Sequence, residues 1–307
     1  MRIAIIGGTG FVGGYLTRAL IDAGHEPSLL VRAGSESKVG ANQGIRVTPG
    51  DLSSTEALRS TLEGCSAVIY NVGILREFPS RGVTFEESQY QGLVRTVEAA
   101  KATGVKRLLL MSANGAKEPG TAYQQTKRRA EEFAFRSGLD VTVMRPSVIF
   151  GDPQGKMEFA TQLYRDLVKP PIPAVGFFSG LNPLKGEIVM SPVHIDDVTG
   201  AFISALENAE TFGQTYALGG PEVLTWEKIL RRIAEATGRQ KWILPMPTIL
   251  MRLGATLFDW LPLFPVTRAQ LTMLEEGNTA DPAIVKELIG REPKGFNVDT
   301  LHYLRNE

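Results

Sequence analysis

Tyr123 and Lys127 stand four residues apart, so on a helix they share one face. A free phenol has a pKa of about 10 and moves protons poorly at neutral pH. A nearby ammonium favours the phenolate and lowers that value. Ser112 follows an apolar run at 108–111. Its hydroxyl therefore stands at a strand end and suits a substrate carbonyl or hydroxyl oxygen. The three form a candidate catalytic set. Ser112 positions the oxygen, Tyr123 passes the proton, and Lys127 tunes the phenol. The plainer alternative puts Tyr123 at a helix end and Lys127 on a solvated face with Arg128 and Arg129. Context separates the two readings, because the pair opens the helix between a strand ending in Met-Ser and the strand leading to Arg145.

A second motif lies at the start of the chain. Gly7, Gly10 and Gly13 are spaced G-x-x-G-x-x-G, directly after the apolar run 3–6 and before a helical pattern. That context is what a dinucleotide turn requires. Gly7 allows the tight turn, Gly10 lets backbone approach a pyrophosphate, and Gly13 allows close helix–strand packing. Thr9, Phe11 and Val12 complete the turn, whose amides and helix dipole favour an anion. No Gly-Lys-Ser/Thr follows, which excludes a P-loop. With a dinucleotide in place, Tyr123 would move a proton as hydride passes between carbon and nicotinamide, and Lys127 would also hold the nicotinamide ribose.

The end of the second strand bears on the cofactor. An acid about 20 residues past the glycines would select NAD, whereas an arginine suits a 2′-phosphate. Arg32 stands there, with Ser35 and Lys38 to assist. NADP(H) is therefore favoured over NAD(H), with Glu36 facing a ribose as the alternative. Asp51 and Leu52 follow the third strand and are placed to touch adenine. Asn71, Val72 and Gly73 follow the fourth and let backbone pass the cofactor ribose.

These positions need a scaffold. Short apolar runs at 2–6, 27–31, 45–47, 67–71, 107–111 and 141–144 alternate with helical patterns at 11–23, 55–62, 86–103 and 122–137. Apolar strands without period-two alternation fit a parallel sheet covered on both faces. The expected fold is α/β, a doubly wound parallel-sheet Rossmann fold. Residues 1–151, completed by about 188–218, form the nucleotide-binding domain. Residues 152–187 and 219–307 form a smaller, mostly helical substrate region. Within it, 169–184 reads as a proline-rich loop, and helices are expected at 226–237, 249–261 and 283–289.

Composition narrows the function classes. Lys plus Arg and Asp plus Glu are each 33 of 307 residues, so the net charge is zero and gives no pull toward nucleic acid. One cysteine, Cys65, excludes an internal disulfide. Three scattered histidines, His25, His194 and His302, give no metal site. The first apolar run is too short for a signal core, and the apolar stretch 242–265 is broken by Arg252, Asp259 and four prolines. The protein is read as cytoplasmic.

Together these residues resemble the short-chain dehydrogenase/reductase superfamily, in its extended or atypical branch. The glycine turn, Asp51-Leu52, Ser112, Tyr123-x-x-x-Lys127 and Arg145-Pro146-Ser147-Val148-Ile149-Phe150-Gly151 stand in the superfamily's order. The resemblance implies that Pro146, Ser147, Val148 and Ile149 lie against the nicotinamide. Pro192-Val193-His194-Ile195-Asp196-Asp197-Val198 also fits the extended branch. Segments 264–274 and 288–293 are similar to bacterial relatives of the NADPH-binding accessory subunit of mitochondrial respiratory complex I. That subunit is taken to hold its nucleotide without turning it over. Two departures matter. Gln89 replaces an expected asparagine, and Ser112 and Tyr123 are closer than in sugar-nucleotide epimerases and dehydratases, which disfavours a nucleotide sugar.

Two readings follow. One is an NADP(H)-dependent oxidoreductase acting on a small or apolar carbonyl or alcohol. The other is a non-catalytic NADP(H)-binding protein with a sensing or respiratory-complex assembly role. Ile249, Leu253, Leu257, Trp260 and Leu261 recur at helical spacing. They read as a packed helix of the substrate region, with a greasy substrate lid or a membrane-surface contact as the alternative.

Overall fold

A computed structural model describes residues 1–39, 44–180, 182, 186–250 and 268–307. Most of the expected helix at 249–261 lies outside the described residues. The chain divides into two compact units, 1–146 with 198–217, and 147–197 with 218–307.

The first unit is built on a seven-stranded sheet. In chain order its strands and helices are β1 (Arg2–Ile6), α1 (Phe11–Asp22), β2 (Glu26–Val31), β3 (Arg46–Pro49), α2 (Thr55–Leu62), β4 (Ala67–Tyr70), α3 (Gly92–Thr103), β5 (Arg107–Met111), α4 (Ala122–Phe135) and β6 (Asp140–Pro146). The second unit contributes β7 (Ile149–Phe150), α5 (Phe159–Leu163), β8 (Ala174–Phe178), β9 (Val189–Met190) and β10 (Val193–His194). Next come α6 (Ile195–Glu207) and β11 (Gln214–Leu218), most of whose residues belong to the first unit, and then, in the second, β12 (Leu224–Thr225), α7 (Trp226–Ala236), β13 (Ile243–Pro247), α8 (Arg268–Glu275) and α9 (Pro282–Ile289).

The sheet order is β3-β2-β1-β4-β5-β6-β11, with parallel pairing from β3 through to β6. This is the doubly wound arrangement that the strand–helix alternation predicts. Alternate residues Ala4, Ile6, Val68, Tyr70, Leu108 and Leu110 pack with buried side chains of α2, α3 and α4. Their neighbours Ile3, Ile5, Ile69 and Leu109 are equally buried, so both faces of the sheet are covered. The strand order reverses between β1 and β4. Ligands of such sheets bind at that switch point, beyond the carboxyl ends of the strands.

Two elements differ from the sequence reading. The expected helix over 86–103 begins as a wider π-wound segment, Glu86–Gln91, before becoming α3. There Tyr70 donates its hydroxyl proton to the Ser88 carbonyl, and Gln89 donates to the Ile74 carbonyl at 3.1 Å. These bonds tie the widened turn to the end of β4. The expected proline-rich loop contains β8, which pairs in parallel with β13. Prolines at 245 and 247 hide that strand, because they remove ladder donors and mark only an edge.

The second unit has its own core, in which Phe150, Trp226, Ile229, Leu230, Phe296 and Leu301 are buried together. No helix among the described residues is long and apolar enough to cross a membrane.

Candidate active site

The glycine turn sits at the switch point. Gly7 adopts φ +95°, in the region that disfavours a side chain. A Cβ on Gly7 would lie 2.6 Å from the Asn71 carbonyl oxygen, and one on Gly13 would lie 2.2 Å from the Gly7 oxygen. Asn71 closes the turn from the β4 side. Its amide donates to the Ile6 carbonyl at 2.8 Å, and its side-chain nitrogen donates to the Gly7 carbonyl at 3.5 Å. Gly10 is different, since a Cβ there would meet only the Gly7 oxygen, at 3.6 Å. Gly10 caps α1 without a side-chain hydrogen bond, and the first turn of α1 carries no acid. The first-turn amides of a helix have no acceptor within it. Thr9, Phe11 and Val12 are half-buried around this opening, with Phe11 edge-on to Tyr15. A cradle of bare backbone at an acid-free helix start fits a pyrophosphate.

This geometry yields a paired test. Gly13→Ala forces the turn backbone to move, so both stability and nucleotide affinity should fall. Gly10→Ala finds ordinary contact in the free protein and should cost the fold at most about 1 kcal/mol. It should still weaken NADPH binding by roughly tenfold or more, because the added methyl stands where the pyrophosphate approaches. Wild-type NADPH affinity in Gly10→Ala would remove the pyrophosphate from this turn.

On the other side of the switch point, α4 carries Tyr123 and Lys127. A capping box sets where the helix begins. The Thr121 amide donates to the Gln124 side-chain oxygen at 2.9 Å, and the Gln124 amide donates to the Thr121 hydroxyl. That start places Tyr123 in the first turn and buries Lys127 in the next. The Lys127 ammonium donates to the Met111 carbonyl at 3.0 Å and to the Val72 carbonyl at 3.4 Å. It also lies 3.6 Å from where a Cβ on Gly73 would be. Asn71, Val72 and Gly73 thus run from the glycine turn to the lysine. Burial pulls the Lys127 ammonium down to about 8, against the opposing pull of Glu131.

The Tyr123 ring stands edge-on to Phe85, with centroids 5.6 Å apart. Its hydroxyl makes no hydrogen bond among the described residues. Burial pushes the phenol up to about 12, and the Lys127 charge is not among the causes. Tyr123 therefore holds its proton at neutral pH in the nucleotide-free protein.

Ser112 has a partner of its own. Its hydroxyl donates to the fully buried Glu131 carboxylate, which also accepts from Arg145, with Nε at 2.8 Å. A serine has one hydroxyl proton, and here Glu131 holds it. In this arrangement the Ser112 hydroxyl points its proton at Glu131, and its lone pairs remain for a further donor. Glu131 is the site-adjacent residue absent from the sequence reading, and it ties Ser112 to Arg145 of the Arg-Pro motif. The signal was present, since Glu131 continues the four-residue spacing of Tyr123 and Lys127.

The remaining predicted residues are placed as follows. Arg32 is exposed beyond β2. Asp51 accepts from the Ser53 hydroxyl at 2.6 Å and the Ser53 amide at 2.8 Å. Those bonds hold its carboxyl below the usual range, with a smaller contribution from the Arg32 charge. Leu52 packs on the first unit's core. Pro146 ends β6, and its carbonyl accepts from the Asn114 amide at 2.9 Å. Ser147, Val148 and Ile149 belong to the second unit. There the Ser147 hydroxyl donates to the Asn278 carbonyl at 2.8 Å, the Val148 carbonyl accepts from the Val193 amide, and Ile149 pairs with Val193.

Comparison with known proteins agrees with this geometry. Residues 7–168 match a family model described as NAD(P)H-binding. The chain is 28% identical to a ceramide reductase of Caulobacter vibrioides, over 84% of this chain and 78% of the relative. It is 24% identical to NADH dehydrogenase [ubiquinone] 1 alpha subcomplex subunit 9, mitochondrial, of Arabidopsis thaliana, over 97% and 76%. Among solved structures, that of gox2253 superposes with a TM-score of 0.78 at 23% identity, covering 99% of this chain and 96% of the other.

Proposed function

Because the chain belongs to the NAD(P)H-binding family, in the extended, atypical branch of the short-chain dehydrogenase/reductase superfamily, we propose that it is an NADP(H)-dependent oxidoreductase acting on a small or apolar carbonyl or alcohol. One observation carries the reading. A buried ammonium and a phenol with no hydrogen-bond partner among the described residues share a face of α4, next to the backbone that closes the glycine turn. When bound, the nicotinamide supplies or accepts the hydride. Tyr123 gives its proton to the carbonyl oxygen in reduction and takes it back in oxidation. Lys127 keeps a positive charge at the cofactor ribose and fixes the end of β4 through Val72. Glu131 holds Ser112 and Arg145 in place behind them. An apolar substrate agrees with the likeness to a ceramide reductase, ceramide being a lipid. The test is NADPH oxidation against a panel of aliphatic and aromatic carbonyls.

Preference for NADP(H) rests on Arg32. Charge-assisted bonds to a 2′-phosphate are worth roughly 1.5–3 kcal/mol, so Arg32→Ala should weaken NADPH binding by roughly tenfold to a hundredfold. NADH binding should change little. Equal affinity of the wild type for NADH and NADPH at moderate salt would end this preference.

A specific observation favours a second reading. The Ser112 hydroxyl donates to Glu131, which supports a site that binds the nucleotide without completing the catalytic set. The protein would then bind NADP(H) without turnover, as a sensor or an assembly factor for a respiratory complex. The mitochondrial subunit of Arabidopsis thaliana belongs with this alternative.

A further inference from the structure

We propose that the second unit carries a docking surface for an anionic membrane, formed where the segment before β8 meets the segment before β13. The two segments are joined directly. The Ala174 amide donates to the Trp242 carbonyl at 2.8 Å, and the Lys241 ammonium donates to the Pro170 carbonyl. The side chains beside these bonds face outward. Trp242 is 78% exposed and Ile172 67%, and Leu244 of β13 is more than half exposed. Single exposed apolar residues are ordinary on a protein surface. Here they fall in two short stretches held side by side, while Phe177 of the same ribbon turns inward against Trp226.

The rim is cationic. Lys169, Arg239 and Lys241 line, with prolines 170, 171 and 173 and Trp242, a groove of about 550 Å³. Among the described residues no Asp or Glu lines it. In a chain of zero net charge this is a local excess. Lys169 also donates to the Glu307 carbonyl, and Arg165 pairs with the Glu307 carboxylate. That acid is therefore balanced from outside the groove.

A lipid surface suits this chemistry better than a protein partner. Indole rings settle at the headgroup level, and Lys or Arg near an anionic leaflet are each attracted to it. The prolines remove backbone donors that a partner strand would need, and a bilayer requires none. Contact would be interfacial, since no described helix is long enough to span.

The experiment is co-sedimentation of the full chain with phosphatidylcholine vesicles, with and without about a third phosphatidylglycerol. The wild type should bind the anionic vesicles and bind neutral ones far more weakly. Lys169→Gln/Arg239→Gln/Lys241→Gln should reduce anionic binding on the order of a hundredfold. Trp242→Asp/Ile172→Asp should reduce binding to both. Every variant should keep wild-type NADPH affinity, which shows that it folds. Absence of wild-type binding to anionic vesicles overturns the proposal, and so does triple-variant binding equal to the wild type. Capture of a protein partner by this surface without vesicle binding also overturns it.

Discussion

Tyr123→Phe should abolish carbonyl reduction while leaving NADPH affinity within about twofold of wild type. General acid catalysis contributes roughly a hundredfold to ten-thousandfold, and that is the loss expected in kcat. The substitution is clean, because the ring keeps its edge-on contact with Phe85 and no hydrogen bond among the described residues is lost. Stability should change by no more than about 1 kcal/mol. The phenol stands at about 12, so its proton is in place at neutral pH, as reduction requires. Absence of turnover in both wild type and variant, with equal NADPH binding, would replace the enzyme by the binder.

The same site predicts opposite pH trends for stability and rate. Lys127 is held at about 8, below its ordinary value of 10.5. Between those values the unfolded chain binds a proton that the folded chain does not. Stability should therefore rise with pH through that window. Turnover should fall over the same window as the ammonium beside the cofactor ribose loses its charge. A pH–rate profile set against thermal unfolding reads both, and a rate that stays flat above pH 8 would take Lys127 out of the reaction.

What was legible in the chain was local. The glycine spacing and the uniformly apolar strands state their own structural requirement within a dozen residues, and the sheet follows from them. The Thr121-Gln124 capping box similarly sets where Tyr123 and Lys127 fall on α4. What was not legible depends on distant partners. β8 is a strand only because β13 lies beside it, and its proline surroundings read as loop. The widened turn at Glu86–Gln91 depends on bonds from Gln89 to Ile74 and from Tyr70 to Ser88. The fate of the Ser112 proton depends on a carboxylate 19 residues away. Spacing identifies a serine at a strand end, but it does not say which acceptor reaches it first.

Glu131→Ala should therefore be the most destabilising single change near the site, by about 3–5 kcal/mol. The carboxylate is fully buried and joins α4 to Ser112 after β5 and to Arg145 on β6. Its removal leaves the partly buried Arg145 guanidinium without its counter-charge and the Ser112 hydroxyl without its acceptor. Glu131→Gln keeps an acceptor for Ser112 and should cost less, about 1–3 kcal/mol. Denaturant midpoints measure both. A merely structural role would stop there, but Glu131 also raises the Lys127 value. In Glu131→Gln the lysine should lose its proton at lower pH, moving the alkaline fall in turnover downward with it. Arg145→Met breaks the same ion pair but leaves the charge on Glu131, so its rate profile should stay put or shift upward. Unchanged profiles in both would confine Glu131 to holding the sheet, while a downward shift in Glu131→Gln alone would give the buried acid a part in setting when Lys127 is charged.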